Sequence, residues 1–157
     1  MTRIIFALAV AHSLTIGAHL MAAQDSTYDA RALRVAGVLG VVEVYRGSGD
    51  ANLLGRVGTF RGLDISSVVS SSPNAVAEAR RFHQFYVRGA AASSIAIVSL
   101  SLANGLRSIP DLNAVIHAAP WGVGLVGLGL GIHNFKIAYN ALSKAIWWYN
   151  RDLRTAG

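Results

Sequence analysis

The chain has 157 residues, of which 53% are hydrophobic and only 14% are charged, and its formal net charge is +6. Ordinary soluble domains carry roughly 25% charged residues, so this composition favours one small membrane unit over a soluble domain. The absence of cysteine excludes a disulfide framework and a thiolate metal site.

The N-terminal residues 1–23 have the layout of a signal peptide. Arg3 precedes an apolar run over 4–23, which ends in small residues before the polar Gln24. The same run is long enough for an uncleaved anchor helix, and a packed helix is a third alternative. A signal or an anchor would place residues 24–86 outside the cytoplasm, because the first hydrophobic segment usually sets the orientation.

Residues 24–72 are predicted to form a small extramembrane module. Its polar start, 24–36, is expected to be loose or briefly helical. The β-branched runs 39–46 and 53–61 flank a glycine-rich turn at 47–50, a pattern that is typical of a β-hairpin. We therefore predict one two-stranded hairpin in this module. The alternative is two loosely paired segments, because Gly55 and Gly58 weaken the second strand.

A long helix is predicted over 73–106. Ser72 supplies a capping hydroxyl, and Pro73 suits the first helical position because its missing N–H would have no partner there. The second half of the helix, 87–106, carries a single charge, Arg88. Its length matches the roughly 20 residues that a helix needs to cross about 30 Å of hydrocarbon.

A loop at 107–118 is expected to lead into a second apolar helix over 119–153, opened by Pro120. Residues 115–135 are uncharged and long enough for a second span, and the remainder is amphipathic and rich in aromatic residues. The predicted fold is therefore mainly α, a two-helix transmembrane hairpin. It carries a small N-terminal β-hairpin module and an N-terminal signal or anchor helix.

Small residues recur at helical spacing on both predicted spans. Such stripes let two helix backbones approach closely in lipid, although glycine and alanine are common in membrane helices in any case. We predict that the stripes pack on each other or on another subunit. The predicted helix-packing residues are Gly89, Ala92, Ala96, Ser99 and Ala103 on the first span and Gly124, Gly127 and Gly131 on the second.

Trp147, Trp148 and Tyr149 form the most individual motif of the sequence. Three adjacent aromatic side chains cannot all face one side of a helix. Trp and Tyr combine an apolar body with a polar tip, which suits the headgroup zone of a bilayer. Anchoring at the membrane surface is one interpretation, and docking to a partner or to the protein's own hairpin module is the other.

Patterns that would support catalysis or a cofactor lack their context. Gly122, Gly124 and Gly127 have dinucleotide-site spacing, but no strand precedes them and the required acid is missing. His117 and His133 are too far apart on one helix to share a metal ion. The acidic residues do not pair at a spacing that suggests acid–base chemistry. We therefore predict no catalytic residue, no cofactor and no metal site.

Basic residues flank the apolar runs, where long side chains can reach the headgroups while their stems lie along apolar surface. This placement conflicts with the predicted orientation, because basic flanks prefer the cytoplasmic side. The near balance of charge over 24–86 argues against nucleic acid as a partner. The flanking residues are Arg80, Arg81, Arg88, Lys136, Lys144, Arg151 and Arg154.

Three short motifs accompany this layout, namely Tyr45-Arg46-Gly47, Ser72-Pro73-Asn74-Ala75 and Ala145 with Tyr149-Asn150. With them the chain resembles a loose group of small, uncharacterised bacterial membrane proteins. Members have a signal-like N-terminus, two Gly-rich spans and a terminal Ala-x-x-x-Tyr-Asn helix. The resemblance covers most of residues 40–153 and implies a bacterial membrane, which we expect to be the inner membrane.

The sequence favours a non-enzymatic integral membrane protein, a structural or accessory subunit that acts through helix packing and partner docking. Its expected partners are the lipid bilayer and a membrane protein or a second copy of the chain. The alternative is a small oligomeric transporter or channel-like protein. Its path would be lined by Ser93, Ser94, Ser99 and Ser101.

Overall fold

The computed structural model divides the chain into two compact units, Met1–Asp64 with Ile146–Gly157, and Ile65–Ala145. The predicted signal or anchor at 1–23 lies outside the residues that the structure describes. These residues are 28–38, 41–47, 52–58, 62–109 and 113–156.

The first unit contains a three-stranded antiparallel sheet. Strands β1 (Leu33–Val38), β2 (Val41–Arg46) and β3 (Leu53–Val57) lie side by side in sequence order. Pairing of β2 with β3 confirms the predicted hairpin, with a second strand that ends earlier than expected. A helical turn at 28–31 precedes β1.

Strand β1 corrects the expectation that 24–36 is loose or briefly helical, which was wrong from Leu33 onward. The strand pairs with β2 over its whole length, from Leu33 opposite Arg46 to Val38 opposite Val41. Its sequence includes Arg34, Ala36 and Gly37, which give little β signal alone. A strand of this kind is stabilised by its neighbour rather than by propensity.

The two faces of the sheet differ in chemistry. Leu33, Val44 and Val57 are almost fully buried, with exposures of 1%, 0% and 4%. Glu43 and Arg56 are register partners, and because side chains alternate along a strand they lie on the face opposite Val44. One face is therefore the core of the first unit, and the other is polar.

The second unit begins with helix α1 (Ile65–Val68), followed by helix α2 (Pro73–Leu106). Both ends of α2 agree with the prediction. The Ser72 hydroxyl accepts a hydrogen bond from the Ala75 N–H at 3.3 Å, and Pro73 takes the first helical position. The sequence signal for this helix start is therefore a physical cap.

Helix α3 runs over Ala114–Ala156 and includes Pro120 in its interior, so the predicted start at 119 was wrong. The side chain of Asn113 accepts a hydrogen bond from the Val115 N–H at 2.9 Å and caps the helix earlier. Pro120 lacks the N–H that would bond to the carbonyl of Ile116, a loss that long apolar helices tolerate. The two long apolar helices form a packed hairpin.

Candidate functional site

The closest approach between α2 and α3 occurs at glycines of α3. A Cβ atom built on Gly131 would lie 2.4 Å from the Ser93 Oγ. One built on Gly127 would lie 3.0 Å from the carbonyl oxygen of Ala92 and 3.2 Å from the Ala96 Cβ. These gaps leave no room for a side chain, so the helix backbones themselves are in contact.

The same contact line, which we call the seam, extends in both directions. At one end a Cβ on Gly124 would lie 2.6 Å from the Leu100 side chain. At the other end the Phe135 ring covers Gly89, where an added Cβ would lie 3.0 Å from the ring. Gly122 and Gly129 have nothing within 4 Å of an added Cβ, so they lie off the seam.

The structure thus brings together small residues from both predicted stripes. Leu100 and Phe135 were missed as packing residues, because the prediction considered only small side chains. Of the eight predicted helix-packing residues, six are buried and two are half-buried. The buried ones are Gly89, Ala96, Ala103, Gly124, Gly127 and Gly131, and the half-buried ones are Ala92 and Ser99.

Four aromatic rings close the seam beyond Gly89. Phe82 lies 5.6 Å from Tyr86 and 6.5 Å from Tyr139, measured between ring centroids. Phe135 lies 5.3 Å from Tyr86 and 6.4 Å from Tyr139. Tilted and stacked ring contacts at these distances are favourable, so the cluster fastens one end of the hairpin.

The outer faces of the hairpin are apolar and uncovered. In the most apolar stretch of each helix only 17% of the residues are buried, and both helices are long and apolar enough to cross a membrane. We call this surface the apolar band. Its exposed side chains are Val87, Ile95, Ile97, Val98 and Leu102 on α2 and Val115, Ile116, Val123, Leu125, Val126, Leu128, Leu130 and Ile132 on α3.

The serines proposed to line a path do not share one environment. Ser93 and Ser99 are half-buried, whereas Ser94 and Ser101 are exposed. Because a helix turns 100° per residue, Ser94 and Ser101 lie on one face and Ser93 on another. The four side chains therefore do not form one continuous polar line.

The sheet of the first unit is joined to the last turns of α3 by Asn150. Its side-chain oxygen accepts a hydrogen bond from the Leu33 N–H, and its side-chain nitrogen donates one to the Leu33 carbonyl, both at 2.8 Å. Tyr149 beside it is 7% exposed. Tyr149 and Asn150, at the end of the terminal motif, are therefore part of the packed structure of the first unit. Asn150 was not predicted to be a contact residue.

The two tryptophans of the same motif have different environments. Trp147 is 56% exposed, and Trp148 is half-buried. Their rings meet edge-on with centroids 4.9 Å apart, and the Arg151 guanidinium lies 3.8 Å from the Trp148 ring centroid. The same guanidinium lies 5.4 Å from the Trp147 ring centroid, so Arg151 attracts both rings electrostatically, and Trp147 is the more exposed of the two.

A charged network lies on the polar face of the sheet. Glu43 is 9% exposed and accepts hydrogen bonds from the Tyr45 hydroxyl and from the Arg56 Nε, the latter at 3.0 Å. The hydrogen bond from Tyr45 and then that from Arg56 lower the pKa of the Glu43 carboxyl. The arrangement stabilises an ionised carboxylate, which suits an ion pair that pins β2 to β3.

Groups of three or more metal-ligating side chains are not found among the described residues. Gly122, Gly124 and Gly127 all lie inside α3, and the latter two pack against α2. The chain matches no protein-family model, no curated protein sequence and no solved structure. The resemblance to small bacterial membrane proteins therefore stays a prediction.

Proposed function

We propose that the chain is a non-enzymatic integral membrane protein, a structural or accessory subunit whose helical hairpin spans the bilayer. The apolar band carries this proposal. Exposed large apolar side chains such as Val98, at 68%, and Val126, at 64%, would be costly in water when they form one continuous surface.

The dimensions of the apolar band support a spanning hairpin. Its exposed residues extend over 87–102 on α2 and 115–132 on α3. At 1.5 Å per residue these stretches are about 22 Å and 26 Å long. A hydrocarbon core of about 30 Å is slightly thicker, and the uncharged flanking residues supply the difference.

The seam explains how such a hairpin would hold together in lipid. Lipid chains are as apolar as leucine side chains, so burial alone does not drive helices together there. Close contact between backbones supplies dispersion attraction instead, and Gly127 and Gly131 permit it. We propose that this rigid pair supports the exposed Trp147 as a contact for a membrane-protein partner or a second copy of the chain.

We further propose a location in a bacterial inner membrane, with residues 24–86 outside the cytoplasm. The apolar N-terminal run supports this orientation, and the basic flanks oppose it. A reporter that is active only in the cytoplasm, fused at Gly157, should therefore be inactive. Activity of the fusion would reverse the orientation and leave the membrane assignment standing.

One pair of substitutions tests the membrane assignment itself. Val98→Arg puts a charge in the middle of the apolar band, which costs about 3 kcal/mol on insertion scales. Gln84→Arg is the matched control, since Gln84 is exposed on the same helix outside the band. In carbonate-washed membranes the native chain and Gln84→Arg should remain in the pellet, and Val98→Arg should be depleted.

The opposite result would overturn the proposal. A soluble chain would appear in the supernatant and would tolerate an arginine at the exposed Val98 as well as one at Gln84. Co-purification from native membranes then tests the accessory role. A partner should be recovered in a fixed ratio, and recovery of the chain alone would favour the transporter-like alternative, which ion flux in proteoliposomes would measure.

A further inference from the structure

We infer that one end of the helical hairpin binds the phosphate groups of anionic phospholipids. This inference rests on the proposed function, because it needs the apolar band to lie in a bilayer. The surface, which we call the basic rim, lies where the apolar band ends near Val87 and Ile132. It consists of Arg80, Arg81, Arg88, Lys136 and Lys144.

The charge of the basic rim is unusually one-sided. Within the described stretches 73–106 and 114–145 these five basic residues face a single acidic residue, Glu78. Glu78 lies 3.9 Å from Arg81 in a loose ion pair and leaves most of the positive charge uncompensated. Each basic residue near an anionic membrane surface contributes attraction that falls off within about 10 Å.

The packing of the hairpin brings basic residues from both helices to one level. Gly89 lies under the ring of Phe135, so their chain neighbours Arg88 and Lys136 sit at the same height of the hairpin. Both side chains are exposed. This height is the end of the apolar band, where the ester and phosphate groups of a lipid leaflet begin.

Two arginines of the rim are held in position by an aromatic ring. The guanidinium carbon of Arg88 lies 5.3 Å from the Phe85 ring centroid, and that of Arg81 lies 5.9 Å from the same centroid. A guanidinium held over a ring keeps its N–H donors free in its own plane. Those donors match the oxygens of a phosphodiester, which favours paired hydrogen bonds over diffuse attraction.

The opposite end of the hairpin offers a matched control. Arg107 is exposed and its guanidinium lies 5.1 Å from the Trp121 ring centroid. It therefore has the same cation–π geometry as Arg88 but no cluster of basic residues in the described chain around it. If isolated arginines over aromatic rings sufficed, both ends would bind anionic lipid equally.

The test measures binding of defined lipids to the detergent-solubilised chain by native mass spectrometry. Phosphatidylglycerol should bind more tightly than phosphatidylcholine, and added salt should weaken the difference. Arg81→Gln with Arg88→Gln should lower phosphatidylglycerol affinity about fivefold per arginine, or about 25-fold together. Arg107→Gln should change this affinity less than twofold. Arg81→Lys with Arg88→Lys should give an intermediate affinity, because lysine keeps the charge but lacks the planar donors.

Three results would overturn the inference. The first is equal binding of the two lipids. The second is an equal loss of phosphatidylglycerol affinity in Arg107→Gln and in Arg81→Gln with Arg88→Gln. The third is competition by millimolar inorganic phosphate that abolishes lipid binding. A chain that stays in carbonate-washed membranes yet gives one of these results is an integral protein without a lipid site. Release of the chain from those membranes would instead contradict the proposed function, on which the lipid site depends.

Discussion

The side-chain amide of Asn150 makes two hydrogen bonds of 2.8 Å to the backbone of one residue, Leu33. The amide group thus takes the place that a neighbouring strand would occupy beside β1. This contact ties the end of the longest helix to a strand that the sequence scarcely signals. Leu33 is almost fully buried at this contact and its neighbour Arg34 is exposed, as the alternation of side chains along a strand requires.

Asn150→Ala should destabilise the sheet unit by about 1–3 kcal/mol, because it leaves a partly buried N–H and carbonyl without partners. Hydrogen exchange of the Leu33 amide should accelerate selectively. Asn140→Ala, an exposed asparagine of the same helix, is the control and should have no effect on that amide. Unchanged protection of Leu33 in the Asn150 variant would contradict the contact.

Gly131→Leu should disrupt the seam, since even a Cβ atom there would lie 2.4 Å from the Ser93 Oγ. Overpacking typically costs about 1–3 kcal/mol. Rotation of the Ser93 hydroxyl alone would not make room for leucine, because backbone atoms of Gly89 and Ser93 lie 3.4 Å from the same Cβ position. Gly129→Leu adds the same side chain two positions away, where nothing lies within 4 Å. The unfolding temperature in mild detergent should be lower for Gly131→Leu and unchanged for Gly129→Leu. An equal decrease in both variants would argue against the seam.

The sheet should lose stability in acid through Glu43. Because folding lowers the pKa of this carboxyl, its contribution is complete above the unfolded value of about 4.3 and disappears as pH falls through the lower folded value. Glu43→Gln should remove this part of the acid transition. Protection factors of the β2 amides, which correct for the intrinsic pH dependence of exchange, measure it from pH 5 to pH 2.

Glu78→Gln is the control for that titration, since Glu78 belongs to the other unit. It should leave the acid transition of the sheet as it is in the native chain. Protection factors of the sheet that are independent of pH in the native chain would show that the ion pair of Glu43 with Arg56 contributes nothing measurable, as exposed ion pairs often do not.

Trp147→Ala should leave the unfolding temperature nearly unchanged, because this side chain is 56% exposed, yet it should reduce recovery of a co-purified partner. Tyr149→Ala is the contrasting variant. Tyr149 is 7% exposed, and removing such a ring costs about 3–5 kcal/mol. Full partner recovery with Trp147→Ala would remove the docking role from this tryptophan.

The sequence predicts the elements whose signals are local. Ser72 and Pro73 mark the start of α2 because capping depends on only a few neighbouring residues. The start of α3 was misplaced because Pro120 reads locally as a helix opener. Asn113, seven residues earlier, caps the helix instead, and the helix tolerates the proline in its interior. Residue type and spacing also indicated the seam glycines, because only a residue without a side chain allows two helix backbones to approach so closely.

Contacts between distant parts of the chain could not be predicted in the same way. Strand β1 depends on its pairing with β2 and on Asn150, which lies 117 residues from Leu33 along the chain. The Phe135 ring over Gly89 depends on the helix register, which spacing alone does not fix. The ion pair of Glu43 could not be predicted from a short sequence motif, because its partner Arg56 is on another strand.

Strand β1 lies at an edge of the sheet in the part of the chain that the structure describes. An open strand edge invites pairing with another chain, which leads to aggregation. At Leu33 both backbone groups are already engaged by Asn150. The amide therefore also acts as a guard against edge-to-edge self-association, a protection that a hydrophobic side chain of similar size would not provide.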